Sequence, residues 1–182
     1  MTNSVANAAW LKRYYALRAL VSAAWIALAV TLGRSHPTLG VALAIAYPAW
    51  DALANGLDAR QSGGLRANPA QALNLAVSAA VTLAVAVAAT RSFHAVVGVI
   101  GVWAALAGVS QLATALRRRG KVAAQWPMIL SGAQSALAGA FFLASALDSK
   151  QTLTVAAIAP YAAFGAFYFA LSALVLHLRR AG

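Results

Sequence analysis

Six apolar runs, separated by only a few polar residues each, constrain this chain more than any other feature of its sequence. They cover residues 16–32, 39–59, 70–90, 94–116, 124–147 and 153–178. An α-helix rises about 1.5 Å per residue, and crossing a hydrocarbon core takes about 20 mainly apolar residues. The breaks GRSHPT, RQSGGLRANP, RSF, RRRGK and DSKQT leave no room for a soluble domain. The runs are about twice as long as a tilted barrel strand needs. The expected fold class is therefore an all-α membrane protein with six transmembrane helices, forming a single transmembrane domain over residues 1–182.

Charge agrees with lipid as the solvent. Only 9% of the residues are charged and 62% are hydrophobic, where a soluble domain carries about 25% charged residues. The net charge of +11 does not indicate a nucleic-acid partner. Such binders gather Lys and Arg on one polar face, and here the basic residues sit in the breaks between apolar runs. Lys12, Arg13, Arg18, Arg60, Arg66, the set Arg117, Arg118, Arg119 and Lys121, and Arg179 and Arg180 fall on one side. Only Arg34, Arg91 and Lys150 fall on the other. By the positive-inside rule both termini are expected to be cytoplasmic. The Arg117, Arg118, Arg119 and Lys121 loop is a topology anchor that also attracts anionic lipid. The first run lacks a small-residue cleavage site followed by a soluble domain, so it is expected to be a retained span.

The helices repeat in pairs. Val21-Ser22-Ala23-Ala24, Val77-Ser78-Ala79-Ala80 and Leu130-Ser131-Gly132-Ala133 lie on the odd helices. Trp50-Asp51-Ala52-Leu53, Trp103-Ala104-Ala105-Leu106 and Tyr161-Ala162-Ala163-Phe164 lie on the even ones. The shared order and spacing predict three tandem helical hairpins. Each unit crosses the membrane twice, so all three share one orientation, unlike inverted-repeat transporters.

The stretches GVWAALAGVSQLATALRRRG (101–120) and QWPMILSGAQSALAGAFFLASA (125–146) resemble the HdeD-like acid-resistance membrane proteins. They look like that family's passage from fourth to fifth helix: small and apolar residues, Gly, a basic loop, Trp, then Gly. The resemblance covers nearly the whole chain. It implies a six-helix inner-membrane protein linked to acid or stress tolerance, with no catalytic residues to carry over. The chain departs from the family's apolar second helix at Asp51, Asn55 and Asp58.

Those three residues are the main candidates for chemistry. The chain has three acids in all, and Asp51 and Asp58 are two of them. Spacings of four and seven put Asp51, Asn55 and Asp58 on one helical face, with Asp51 near mid-membrane. A charge at such a depth costs on the order of 2.5–3.5 kcal/mol, so it must meet a partner, water or a proton. Arg18, Gln71, Asn74, Gln111 and Gln134 are expected at similar depth. One reading is helix-to-helix glue with an Arg18–Asp58 ion pair. The other is a solute or proton pathway, making the protein a small transporter or proton-linked channel around Asp51. A structural membrane partner is a third class.

Other features carry less. Pro48 and Pro160 are expected as kinks inside the second and sixth helices. Gly101-x-x-x-Ala105, Gly132-x-x-x-Ala136 and Ser135-x-x-x-Gly139 permit close helix contact, serving either the bundle or a homo-oligomer. His36 and His94 are expected at the outer surface, where imidazoles gain charge below about pH 6.5; one reading is a pH-responsive role, the other two surface histidines that simply titrate. His177 lies at the opposite end, so no metal site is expected, and no cofactor. There is no Cys, which excludes thiolate chemistry. Both intramembrane acids lie on one helix without a Gly-x-Gly-Asp setting, unlike an intramembrane aspartyl protease. GLDAR (56–60) lacks the later carboxylates of the CDP-alcohol phosphotransferase signature. No Ser/His/Asp set or phosphate loop appears, and the chain is expected not to be an enzyme.

Overall fold

The computed structural model describes residues 2–118 and 126–178. Among these, all regular structure is helical. Six α-helices run in order: α1 (Thr2–Leu28), α2 (Pro37–Gln61), α3 (Pro69–Ala89), α4 (Phe93–Arg118), α5 (Trp126–Leu147) and α6 (Ala159–Leu178). A π turn, Ala29–Gly33, continues α1, and a 3₁₀ turn, Val155–Ile158, leads into α6. Among the described residues five helices are long and apolar enough to cross a membrane, and they include all but α2. At 25 residues α2 has the length. Its Asp51, Asn55, Asp58 and Arg60 lower its hydropathy.

Boundaries follow local chemistry. Pro37 and Pro69 open α2 and α3, where the missing N–H of proline would have had no helical acceptor anyway. Pro160 is the second residue of α6 and fills the same first-turn role. The expectation of an internal kink at Pro160 is therefore corrected: the 3₁₀ turn before it ends at Ile158, and no long helix is interrupted. Pro48 does lie inside α2, fully buried. α1 starts fourteen residues before its apolar run, because residues 2–15 contain no Gly or Pro and continue the helix despite their polarity. Between α2 and α3, Gly63 and Gly64 adopt φ of 97° and 90°, a region open to glycine at little cost. Asn68 fixes that turn by donating to the carbonyls of Ser62 at 2.7 Å and Gly64 at 2.9 Å.

The chain sorts into two compact units. The first comprises residues 1–78 and 155–182, the second residues 79–154. In the first, α1 packs along α6. Its core holds Tyr14, Trp25, Leu43, Ala44, Pro48, Val155 and Ile158. The Trp25 indole donates to the carbonyl of Leu43 at 2.8 Å, one turn before Pro48, and its ring lies 4.9 Å from that of Tyr47. In the second unit α4 and α5 meet backbone to backbone. A methyl group built on Gly108 would fall 2.6 Å from the Gly132 carbonyl oxygen, and one on Gly139 would fall 2.7 Å from Ala105 Cα. Ser135 Oγ crosses the same seam to the Ala104 carbonyl at 3.0 Å. The small-residue pairs read from the sequence thus pack α4 on α5 within one chain.

The surface inverts the rule for water-soluble proteins. Leu20, Leu73, Leu83, Leu106, Leu137 and Phe141 are exposed, and contiguous apolar exposure on this scale calls for a nonaqueous neighbour. With five apolar spans, the protein is a multi-pass membrane protein.

Candidate functional site: an intramembrane polar cluster

The cluster is built in the first unit, from residues of α1, α2 and α3. Arg18 on α1 forms an ion pair through Nη2 with Oδ1 of Asp51 on α2. Ser78 Oγ, from α3, donates to Asp51 Oδ2 at 2.8 Å, and Asn55 Nδ2 donates to the same oxygen at 3.1 Å. Asn55 also donates to the Asp51 backbone carbonyl at 2.8 Å. Both carboxylate oxygens are therefore engaged by the protein itself. Their side chains are only 12% (Arg18) and 24% (Asp51) exposed.

The guanidinium is held from two further sides. Its Nη1 donates to the Tyr14 hydroxyl at 3.0 Å, and that hydroxyl donates to the Ala54 carbonyl at 3.2 Å. The Phe169 ring of α6 lies 4.1 Å from Arg18 Cζ, a cation–π contact worth about 2 kcal/mol when water is excluded. Three helices and an aromatic face converge on one ion pair, with hydrogen bonds completing it. Buried ion pairs persist where such bonds satisfy the remaining donors and lone pairs.

The expected Arg18–Asp58 pair is corrected, because Arg18 reaches Asp51. Asp58 accepts from Gln71 of α3 at 3.2 Å through Oδ2, while its buried Oδ1 meets no donor from the protein. Asn74 is exposed on α3, and Gln111 and Gln134 are half-buried residues of the second unit. Ser78 and Tyr14 are members that residue-by-residue reasoning missed. Ser78 was nonetheless visible as the repeat serine. Its counterpart in the next repeat is Ser131, whereas the serine that donates to the Ala104 carbonyl is Ser135, four residues further on.

The remaining expected residues lie apart. His36 is exposed at the start of α2, and His94 is half-buried with Nε2 3.3 Å from the Asp148 carbonyl. Lys12 Nζ lies 3.4 Å from His177 Nδ1. Asp148, the third acid, accepts from the Lys150 backbone N–H and from Gln151 and so organises a turn. Arg117 and Arg118 end α4, while Arg119 and Lys121 of the expected lipid anchor lie outside the described residues. Among the described residues no group of three His, Asp or Glu side chains converges.

Comparison with curated proteins and with solved structures gave no match. A family model described as a short repeat of unknown function (DUF308) matches residues 73–144. That span runs from the first turns of α3 to near the end of α5 and includes both helices of the glycine seam. The middle of this membrane protein, less than half of the chain, is thus similar to the DUF308 short repeat.

Proposed function

We propose that the chain is a non-catalytic, multi-pass protein of the bacterial inner membrane, of the HdeD-like kind, serving acid or stress tolerance. In this reading Arg18–Asp51 clamps helices together and is no conduit. The observation that carries it is the saturation of Asp51: Arg18, Asn55 and Ser78 occupy both carboxylate oxygens. A carboxylate that relays protons must give up and regain partners during each passage, and this one would have to break an ion pair and two hydrogen bonds to do so. The family-level part is supported by the 73–144 match, which covers most of the stretches that resemble the HdeD-like proteins. The distribution of Lys and Arg supports cytoplasmic termini in this reading.

Two measurements test this reading. Purified protein in liposomes carrying a proton gradient is expected to dissipate it no faster than empty vesicles. A flux that disappears in Asp51→Asn would replace the clamp by the transport alternative. A strain lacking the protein is expected to survive a low-pH challenge less well than its parent, with survival restored by the intact chain. Equal survival would remove the acid-tolerance assignment.

A further inference from the structure

The two halves of α2 are held in different ways. Residues 37–47 are seated against backbone: a methyl group on Gly40 would fall 2.9 Å from the Gly33 carbonyl oxygen, and the Trp25 indole donates to the Leu43 carbonyl at 2.8 Å. Residues 49–61 bury only two apolar side chains, Ala54 and Ala59, and are held by polar contacts. Arg18 and Ser78 engage Asp51, the Tyr14 hydroxyl donates to the Ala54 carbonyl, and Gln71 donates to Asp58. Between the halves stands Pro48, buried inside the helix. Proline has no N–H, so α2 lacks its helical bond to the Ala44 carbonyl, and helices bend at such a position. The second half runs into Gly63 and Gly64, whose φ of 97° and 90° let the backbone turn at little cost.

Packing does not close the space beside the second half. A cavity of about 80 Å³ lies between it and α1, bordered by Trp10, Tyr14, Leu17, Trp50, Ala54 and Leu57 among others. Among the described residues four buried side-chain polar atoms meet no partner from the protein, and all four belong to these two segments. They are Trp10 Nε1 and Arg18 Nε on α1, and Trp50 Nε1 and Asp58 Oδ1 on α2. Each is sealed from solvent, so nothing hydrates them while the helices stay as they are. A buried donor or acceptor without a partner disfavours the arrangement that buries it. Moving residues 49–61 away from α1 would admit water to these groups, and a wall that faces a cavity has few contacts to lose. The unmet groups therefore favour opening, and the Arg18–Asp51 pair opposes it.

We propose that residues 49–61 are a hinged arm of α2, which swings away from α1 between Pro48 and the Gly63-Gly64 turn, with the Arg18–Asp51 pair as its latch. The closed arm keeps the ion pair and hides the four unmet groups. The open arm exchanges the pair for hydration of those groups and of both charges. Residues 37–47 stay in place in either state. A buried ion pair suits a latch better than an apolar contact does. Replacing such a pair by well-packed apolar residues is often neutral or stabilising, whereas a switch needs two arrangements close in free energy. The arm requires neither proton flux nor acid tolerance, so its failure and theirs are read separately.

The chain has no Cys, so a single introduced thiol reports alone. Ala54→Cys puts one on the arm, at a fully buried position beside the cavity, and Leu43→Cys puts one at a buried position of the seated half. Both are labelled with N-ethylmaleimide in detergent, with the latch intact and in Asp51→Asn, which removes the charge but keeps an acceptor for Ser78. The variant Arg18→Gln,Asp51→Asn strands neither charge and is labelled alongside, so that a fold lost through a stranded arginine does not stand in for opening. Ala54→Cys is expected to react faster than Leu43→Cys throughout. Releasing the latch is expected to speed Ala54→Cys about tenfold, the effect of losing one hydrogen bond to a charged group, and to leave Leu43→Cys unchanged. Pro48→Ala, which returns an N–H to α2, is expected to slow Ala54→Cys with the latch intact or released. Equal acceleration of the two thiols would mean that α2 loosens as a whole. No acceleration in the double variant would mean that the pair latches nothing, and labelling indifferent to Pro48→Ala would mean that the arm has no hinge there. Any of these results overturns the proposal.

Discussion

Gly108→Ala is expected to destabilise the protein by about 3 kcal/mol, at the upper end of the cost of overpacking, whereas Gly165→Ala should be nearly silent. The two glycines sit in the middle of membrane helices and are chemically equivalent in the sequence. What separates them is the neighbour. A methyl group on Gly108 would strike the backbone of Ala136 and the carbonyl of Gly132. Backbone cannot rotate away as a side chain can, so α4 and α5 would have to separate. Without a strong hydrophobic drive between helices in lipid, close packing of this kind supplies much of their association. On Gly165 the nearest atom to the added methyl would be a Phe169 ring carbon at 4.0 Å, an ordinary contact. Alanine also gains helix propensity there, worth up to about 1 kcal/mol. Thermal or SDS-induced unfolding of the two variants in detergent measures the difference. Equal stability would mean that the glycine seam does not hold the second unit together.

The number and order of the helices were legible because each apolar run has the length of a span and ends in turn residues. The start of α1 was not legible, because hydropathy marks where lipid begins and not where the helix begins. That one error propagated. A helix that starts at residue 16 puts Arg18 only about one turn in, towards the end of the span where Asp58 falls. In the structure the apolar span opens at Ala9, which places Arg18 about 14 Å along it. Asp51 lies about 15 Å from the end of α2 at Gln61. The two charges therefore share a depth, and the pairing follows from helix length.

The repeat was legible in the same partial way. It marked Ser78 and the position of Asp51, but the identity of the contacting helices depends on packing that no local pattern encodes. The closest helix pair, α4 with α5, joins neighbouring repeats across the RRRGK break. The position equivalent to Asp51 shows what the substitution changes. Ala104 is fully buried where α4 and α5 touch through backbone. At Asp51 a longer, charged side chain occupies that place, and α2 and α3 meet through hydrogen-bonded side chains instead. A charge there then requires a counter-charge, which Arg18 on α1 provides.

Removing Asp51 is accordingly expected to be worse than removing Arg18, and removing both is expected to cost less than the sum. Asp51→Ala leaves a guanidinium buried against Phe169 and Tyr14 without its carboxylate, and stranding one member of a buried pair costs about 3–5 kcal/mol. Arginine has no neutral form to retreat to at any accessible pH. Arg18→Ala strands a carboxylate that still accepts from Ser78 and Asn55, so a smaller loss of about 2 kcal/mol is expected, much of it the forfeited contact with Phe169. In the double variant neither charge is stranded. A coupling of about 2 kcal/mol should separate its stability from the sum of the single losses. Unfolding in detergent at neutral pH gives all four stabilities, and additivity within about 0.5 kcal/mol would mean that the two residues act independently.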